Sequence, residues 1–172
     1  CIIGSYNSDA VKPEFKDRLL SDRAVLERLN AEWAEEHGDP KFDEFMKRLD
    51  TELFDKSINP TGKLVLFSES VDTLNYLYER LTKELGRNDI LKVTATNRDR
   101  LDSVIKNNFD ANASHDEGRY NIILTSDVLA EGVNLHRANI IVNYDSPWNA
   151  TRLMQRIGRV NRIGSTAPNI YN

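Results

Sequence analysis

The hydrophobic positions change rhythm along the chain, and the change divides it. From Lys12 to Leu29, Phe15, Leu19, Leu20, Val25, Leu26 and Leu29 fall at spacings compatible with an amphipathic helix. After a break at Gly38-Asp39-Pro40, a second helical stretch over 41–54 places Phe42, Phe45, Met46, Leu49, Leu53 and Phe54 on one face, whose plainest use is core packing. Residues 1–59 do not make a convincing fold alone. Asn59-Pro60-Thr61-Gly62 then stops the helical pattern, and a domain boundary is expected there.

From Lys63 the pattern alternates between short aliphatic runs and helical stretches. Strands are predicted over 63–68, 90–95, 120–125 and 138–144, and helices over 70–85 and 98–109. The polar run 110–119 has no apolar periodicity and predicts an exposed loop. Near-continuous aliphatic strands separated by helices describe an α/β fold whose parallel β-sheet is buried on both faces and flanked by helices. In open parallel sheets, functional groups gather where strands end at their carboxyl side. Four places are thereby singled out: Ser68-Glu69-Ser70, Thr125-Ser126-Asp127, Asp145-Ser146-Pro147-Trp148-Asn149, and the arginine-rich stretch that follows.

Composition narrows the function classes. The 172 residues are 40% hydrophobic and 29% charged, which fits a packed globular protein and excludes low-complexity and collagen-like chains. The net charge of −4 argues against a general polyanion binder, but it is unevenly spread. Residues 1–59 carry −5, residues 60–145 carry −3, and 146–172 carry +4, all of it arginine. Cys1 is the only cysteine, so no internal disulfide and no cysteine-based metal site can form; a reducing, cytoplasmic (intracellular) setting is expected, with no metal site. No apolar run approaches the roughly 20 residues of a bilayer span, and no membrane partner is expected. The initial Cys, in place of Met, suggests a piece of a longer chain.

Two segments carry candidate chemistry. In Gln155-Arg156-Ile157-Gly158-Arg159-Val160-Asn161-Arg162, with Arg152 just upstream, four arginines fall within eleven residues. Helical spacing would set Arg152, Arg156 and Arg159 on a related face, with Ser146 or Asn149 capping the helix. A guanidinium is permanently charged and offers forked donors to phosphoryl oxygens, so arginines at fixed offsets can follow charge developing on a transferring phosphoryl group. A solvated basic face is the bland alternative, and the absence of any acid after residue 145 argues against local ion pairing. In Leu124-Thr125-Ser126-Asp127 through Gly132-Val133-Asn134-Leu135, a strand ends in hydroxyls and the chain returns through a glycine. Hydroxyls and free N–H groups there suit the phosphates of a nucleic-acid strand, and capping of a following helix is the plainer use.

Together these segments resemble motifs V and VI of superfamily 2 helicases and translocases, in the order found in their second RecA-like lobe. Gln155 to Arg162 fits Q-R-x-G-R-x-x-R, and Lys63 to Ser70 resembles motif IV. The resemblance covers about residues 63–172, and "EGVNL", "DSPWN" and "QRIGRVNRIG" look most similar to the Swi/Snf-like branch and its bacterial relatives. It implies a helical extension or inter-lobe linker over 1–59 and a RecA-like lobe over 60–172, truncated at its C-terminus. It also implies that Arg159 and Arg162 are arginine fingers reaching ATP, that Gly132, Asn134 and Gln155 stand beside the nucleotide, and that Ser68, Thr125 and Ser126 touch the nucleic-acid backbone. Ser68 serves equally well as a strand-end cap, and Trp148 is expected to pack under the arginine helix. Three departures stand out: Ala130-Glu131 replaces a glycine-rich step, Ser165 stands where glutamine often follows, and Ala95-Thr96-Asn97 lacks the acidic-glycine signature common in that branch.

No G-x-x-x-x-G-K-[ST] loop and no D-E-x-x box occur, since Gly62-Lys63 precedes a strand and continues into Leu64. ATP and Mg²⁺ are therefore expected to be held mainly by a first lobe of the same parent chain, with neither bound by this fragment alone. The expected partners are that N-terminal RecA-like lobe and nucleic acid, with the resemblance favouring DNA over RNA. A non-catalytic RecA-like module that grips nucleic acid or protein is the rival reading. A Rossmann-type nucleotide domain is weaker, because no G-x-G-x-x-G follows the first strand.

Overall fold

The computed structural model describes residues 12–35, 38–130 and 132–172; Cys1 and Glu131 lie outside them. The chain divides into two compact units, Cys1–Phe45 and Met46–Asn172. In the first, α1 runs Pro13–Glu35 and carries its periodic apolar residues, Phe15 to Leu29, largely exposed. The second stretch, expected as one helix, is α2 (Pro40–Arg48) followed by a π-helical turn, Leu49–Leu53. Phe42, Phe45 and Leu49 are buried, as core packing requires.

All four predicted strands form, two or three residues shorter than the aliphatic runs: β1 (Leu64–Phe67), β2 (Ile90–Val93), β3 (Ile122–Thr125) and β4 (Ile140–Asn143). They pair in parallel in the order β2-β3-β1-β4. The register sets Leu64 beside Ile122 and Ile140, and Phe67 beside Thr125 and Asn143. Central β1 and β3 are buried at every position, which explains their unbroken aliphatic sequences. Each fully buried Leu or Ile contributes roughly 1.5–3 kcal/mol over leaving it in water. Together they outweigh the low net hydropathy of the chain.

The helices start and stop where the sequence says. Helix α3 (Val71–Leu85) is capped by Ser70, whose Oγ accepts from the Thr73 N–H at 3.2 Å. It ends at Gly86, which takes the left-handed conformation at φ 58°. Leu74, Leu77 and Leu81, three and four residues apart, form its buried stripe. Helix α4 (Arg98–Phe109) buries Ile105, Asn108 and Phe109. Asn108 Oδ1 accepts from the N–H groups of Arg119 and Tyr120, both at 3.0 Å, and so fixes where β3 begins. Arg137 holds the 110–119 loop from beneath by donating to the carbonyls of Asn107 and Ala113 at 2.7 and 3.1 Å. Helix α5 (Ala150–Val160) is capped by Asn149, whose Oδ1 accepts from Thr151 N–H at 2.8 Å; of the two candidates, Asn149 is the one that caps.

Candidate functional site

The carboxyl ends of β1, β3 and β4 are drawn together by side chains that the aliphatic pattern does not specify. Ser68, just after β1, is fully buried; its Oγ donates to Asp145 after β4 and accepts from Ser70 N–H at 3.2 Å. Its own N–H donates to the Thr125 carbonyl at 3.1 Å. Thr125 is also fully buried, with Oγ1 donating to the Ser126 carbonyl at 3.0 Å. A short 3₁₀ turn, Asp127–Leu129, follows, and no side chain caps it.

Arg156 of α5 lies in the middle of this arrangement with 0% exposure. Its Nε donates to Asp127 Oδ1 at 2.6 Å, one terminal nitrogen donates to Asn143 Oδ1 at 2.9 Å and the Asp145 carbonyl at 3.3 Å, and the guanidinium stands 5.2 Å from the Phe67 ring centre. A buried cation is tolerated only when paired and hydrogen-bonded, and each strand end contributes something to that pairing. One turn earlier, Arg152 bridges Asp127 at 3.4 Å and Glu69 at 3.6 Å. The stretch after residue 145 holds no acid, as the sequence shows, but these partners come from 25 or more residues upstream. Arg152 and Arg156 are therefore joined to the fold, and the single phosphate-facing array expected from helical spacing is divided.

The other half of the array differs. Among the described residues no acid pairs with Arg159 or Arg162. Arg159 Nε is buried without a hydrogen-bond partner, while its carbonyl accepts from Leu135 N–H at 2.9 Å. That bond ties α5 to the segment bearing Gly132 and Asn134. Arg162 is exposed and donates to Asn134 Oδ1. Asn134 in turn donates from Nδ2 to Asp110 Oδ2 at 3.2 Å. Beside Asp110 lies His136, 1% exposed, whose Nδ1 is 3.7 Å from Asp110 Oδ1 and whose ring nitrogens make no hydrogen bond. Burial pushes the His136 pKa below 6.5, with Asp110 opposing that shift and the positive charges of Arg162 and Arg137 adding to it.

Gly132 has φ +77°, and a Cβ there would come within 2.9 Å of an Arg98 terminal nitrogen. The Arg98 side chain can move aside, so it is the positive φ that calls for glycine. Arg98, at the start of α4, is thus a further cation at the site that the motif reading overlooked; its ion-pair partner Asp99, 3.2 Å away, is 95% exposed.

The sequence-predicted residues therefore fall into three groups. Asn134, Arg159 and Arg162 come together beside Leu135, and Gly132 stands on the same segment against Arg98. Gln155 lines a hollow with Asp127, Val128, Ala130 and Arg152. Ser68 and Thr125 are buried with their hydroxyls engaged, so in this conformation they shape the strand ends and only Ser126 retains partial exposure. The expected packing of Trp148 under α5 is not found: Trp148 is 99% exposed. Arg98, Asp110 and Asn143 lie outside every place the sequence singles out, and no local pattern marks them; Asp127 and Asp145 lie within two of those places, but nothing in the sequence shows their pairing with Arg156 and Ser68.

Comparison with known proteins bears on the whole arrangement. The family model described as "Helicase conserved C-terminal domain" matches residues 44–164. An uncharacterized ATP-dependent helicase of Bacillus subtilis is 43% identical over 56 residues, which cover 32% of this chain and 10% of that protein. The ATP-dependent RNA helicase DBP5 of Eremothecium gossypii is 31% identical over 113 residues, 61% of this chain and 22% of that one. The chain thus spans under a quarter of the length of these relatives. Among solved structures, the C-terminal part of the Fun30 ATPase domain superposes with TM-score 0.60 at 21% identity, covering 90% of this chain and 48% of that one, and shows the same fold. An S. cerevisiae Dbp5 variant bound to RNA and ADP BeF3 superposes with TM-score 0.54 at 25% identity, covering 76% and 31%. With its four-stranded parallel sheet, its Q-R-x-G-R-x-x-R helix and a family match over most of its length, the chain belongs to the helicase conserved C-terminal domain family, the second RecA-like lobe of superfamily 2 helicases.

Proposed function

We propose that this lobe supplies Arg159 and Arg162 to ATP held by a first lobe of the same parent chain, and that the parent is an ATP-dependent nucleic-acid helicase or translocase. One observation carries the proposal. Of four arginines on one short segment, the fold neutralises Arg152 and Arg156 with Asp127 and Glu69, and leaves Arg159 and Arg162 without an acid among the described residues. Unneutralised guanidinium groups suit the negative charge of a triphosphate, and the partnerless Nε of Arg159 is a donor that a phosphoryl oxygen fits. The chain's own residues then bind and orient: Arg159 and Arg162 meet charge developing on the transferred phosphoryl group, and Asn134 steadies Arg162. Gly132 keeps the approach clear. Mg²⁺ and the phosphate cradle belong to the first lobe, so the fragment alone is inert.

On the nucleic-acid side, Ser126 and the backbone around Thr125 face the polymer, and the solvated Trp148 adds an aromatic surface at the same strand ends. The preference for DNA is not carried forward, because the DBP5 relatives are RNA helicases. Lobe closure on ATP and opening after hydrolysis shift the strand. Residues 60–172 form the lobe and 1–59 a helical extension or linker.

The test measures ATP turnover by the full-length parent with single- and double-stranded DNA and RNA. Turnover stimulated by one of them, abolished by Arg159→Ala or Arg162→Ala with ATP binding intact, supports the motor. Full turnover in either variant removes that arginine's finger role. Nucleic-acid binding with no ATP cycle in the parent replaces the motor by a binding module.

A further inference from the structure

Arg162 sits on the solvated end of the arginine segment, where a long side chain samples many rotamers unless something holds it. The hold is a chain of polar groups, Arg162 to Asn134 to Asp110. Its direction is fixed by chemistry. A carboxylate only accepts, so Asp110 compels Asn134 to present its NH₂ end, and the amide oxygen is thereby turned toward Arg162, which only donates. Without an acceptor at position 110, the Asn134 amide is free to rotate by half a turn and offer its NH₂ to the guanidinium, where donor meets donor.

Asp110 is itself firmly placed. Its N–H donates to the Lys106 carbonyl at the end of α4, at 3.0 Å, and its Oδ1 accepts from Asn112 N–H at 2.9 Å in a tight turn. The nearest His136 nitrogen, Nδ1, stands 3.7 Å from that same Oδ1 and makes no hydrogen bond, while Oδ2 accepts from Asn134.

We propose that Asp110 is a positioning residue for Arg162: acting through Asn134, it holds the guanidinium oriented before ATP arrives. The proposal rests on Arg162 as a cation of the ATP site. A misplacement of about 1 Å can cost about 100-fold in rate, so loss of Asp110 is expected to lower kcat about 10- to 100-fold while the KM for ATP changes little.

The experiment is a double-mutant cycle in the full-length parent, read as nucleic-acid-stimulated ATP turnover under single-turnover conditions. Asp110→Ser keeps a hydroxyl for the Asn112 turn but is too short to reach Asn134, so it separates relay from turn. Asp110→Glu keeps two acceptor oxygens, one for the Asn112 turn and one for Asn134, and is expected to recover part of the turnover. Combined with Arg162→Ala, Asp110→Ser is expected to add nothing to the loss from Arg162→Ala alone. If the two losses multiply, or if Asp110→Ser turns over normally, the positioning role is overturned. Full turnover in Arg162→Ala alone would instead overturn the finger role, a separate outcome needing no Asp110 variant. Thermal melting of each variant reports folding, and a melting loss shared by Asp110→Ser and Asp110→Glu without the kinetic difference between them also overturns the proposal.

Discussion

The two halves of the arginine segment present the same side chain in opposite circumstances. Arg156 is wholly buried and Arg152 is 56% exposed; Asp127 serves both, and Glu69 serves Arg152. Arg159 in the last turn of α5 and Arg162 just beyond its end meet backbone, an amide and solvent, but no acid among the described residues. The first pair neutralises the ends of three strands, and the second leaves positive charge beside Gly132 and Asn134. Charge in a motif is thus not a property of the motif; it depends on which acids the fold delivers.

The largest expected effect lies in the second pair. In the parent, Arg159→Ala or Arg162→Ala should lower stimulated ATP turnover about 10³- to 10⁵-fold, while Arg162→Ala shifts the unfolding free energy of the chain by no more than about 0.5 kcal/mol. A stability loss without a turnover loss would erase the contrast.

Arg156→Ala should behave in the opposite sense, costing about 3–5 kcal/mol in denaturant unfolding because Asp127 and Asn143 lose their shared donor. An unfolding midpoint equal to that of the unsubstituted chain would show that the buried cation binds nothing together. Arg152→Ala, more exposed, should cost about 1 kcal/mol or less. Between the halves, Gly132→Ala should cost more than about 1 kcal/mol, since the positive φ opposes a Cβ; thermal melting checks it.

The smallest effect sharpens the surroundings of Arg162. The folded chain holds the His136 pKa below 6.5, so as pH falls through 6.5 the unfolded chain takes up the proton first and stability declines. The decline ends below the folded value. His136→Gln should flatten the melting temperature between pH 7 and 5, and an unchanged slope would assign the dependence to other groups.

Much of the fold is legible in the sequence. Leu64-Val65-Leu66-Phe67 and Ile122-Ile123-Leu124 read as buried parallel strands because both faces of such strands must be apolar, and Ser70, Gly86 and Asn149 mark helix ends through local backbone chemistry. The end of α2 was less legible: an unbroken apolar spacing over 41–54 does not reveal a passage from α to π winding after Arg48. The fate of Trp148 was not legible either, since an aromatic between Pro147 and Asn149 has the same local signature whether it anchors a turn or meets solvent. The fates of Ser68 and Thr125 turned on Asp145 and on strand pairing, neither of which lies nearby in the chain.

By itself, the sequence determined the alternation of strands and helices and the clustering of four arginines after the last strand, which follow from patterns within a few residues, and its unbroken aliphatic strands implied a parallel sheet. Only the tertiary structure decided which arginines are neutralised, because Asp127 and Glu69 reach α5 across the sheet's carboxyl edge. It also decided that Asn134 faces Arg162 with Asp110 behind it, a choice made by the packing of the segment after Gly132 against the end of α4. Pairing of charges is a matter of distance in space, and distance in space is what a linear pattern does not carry.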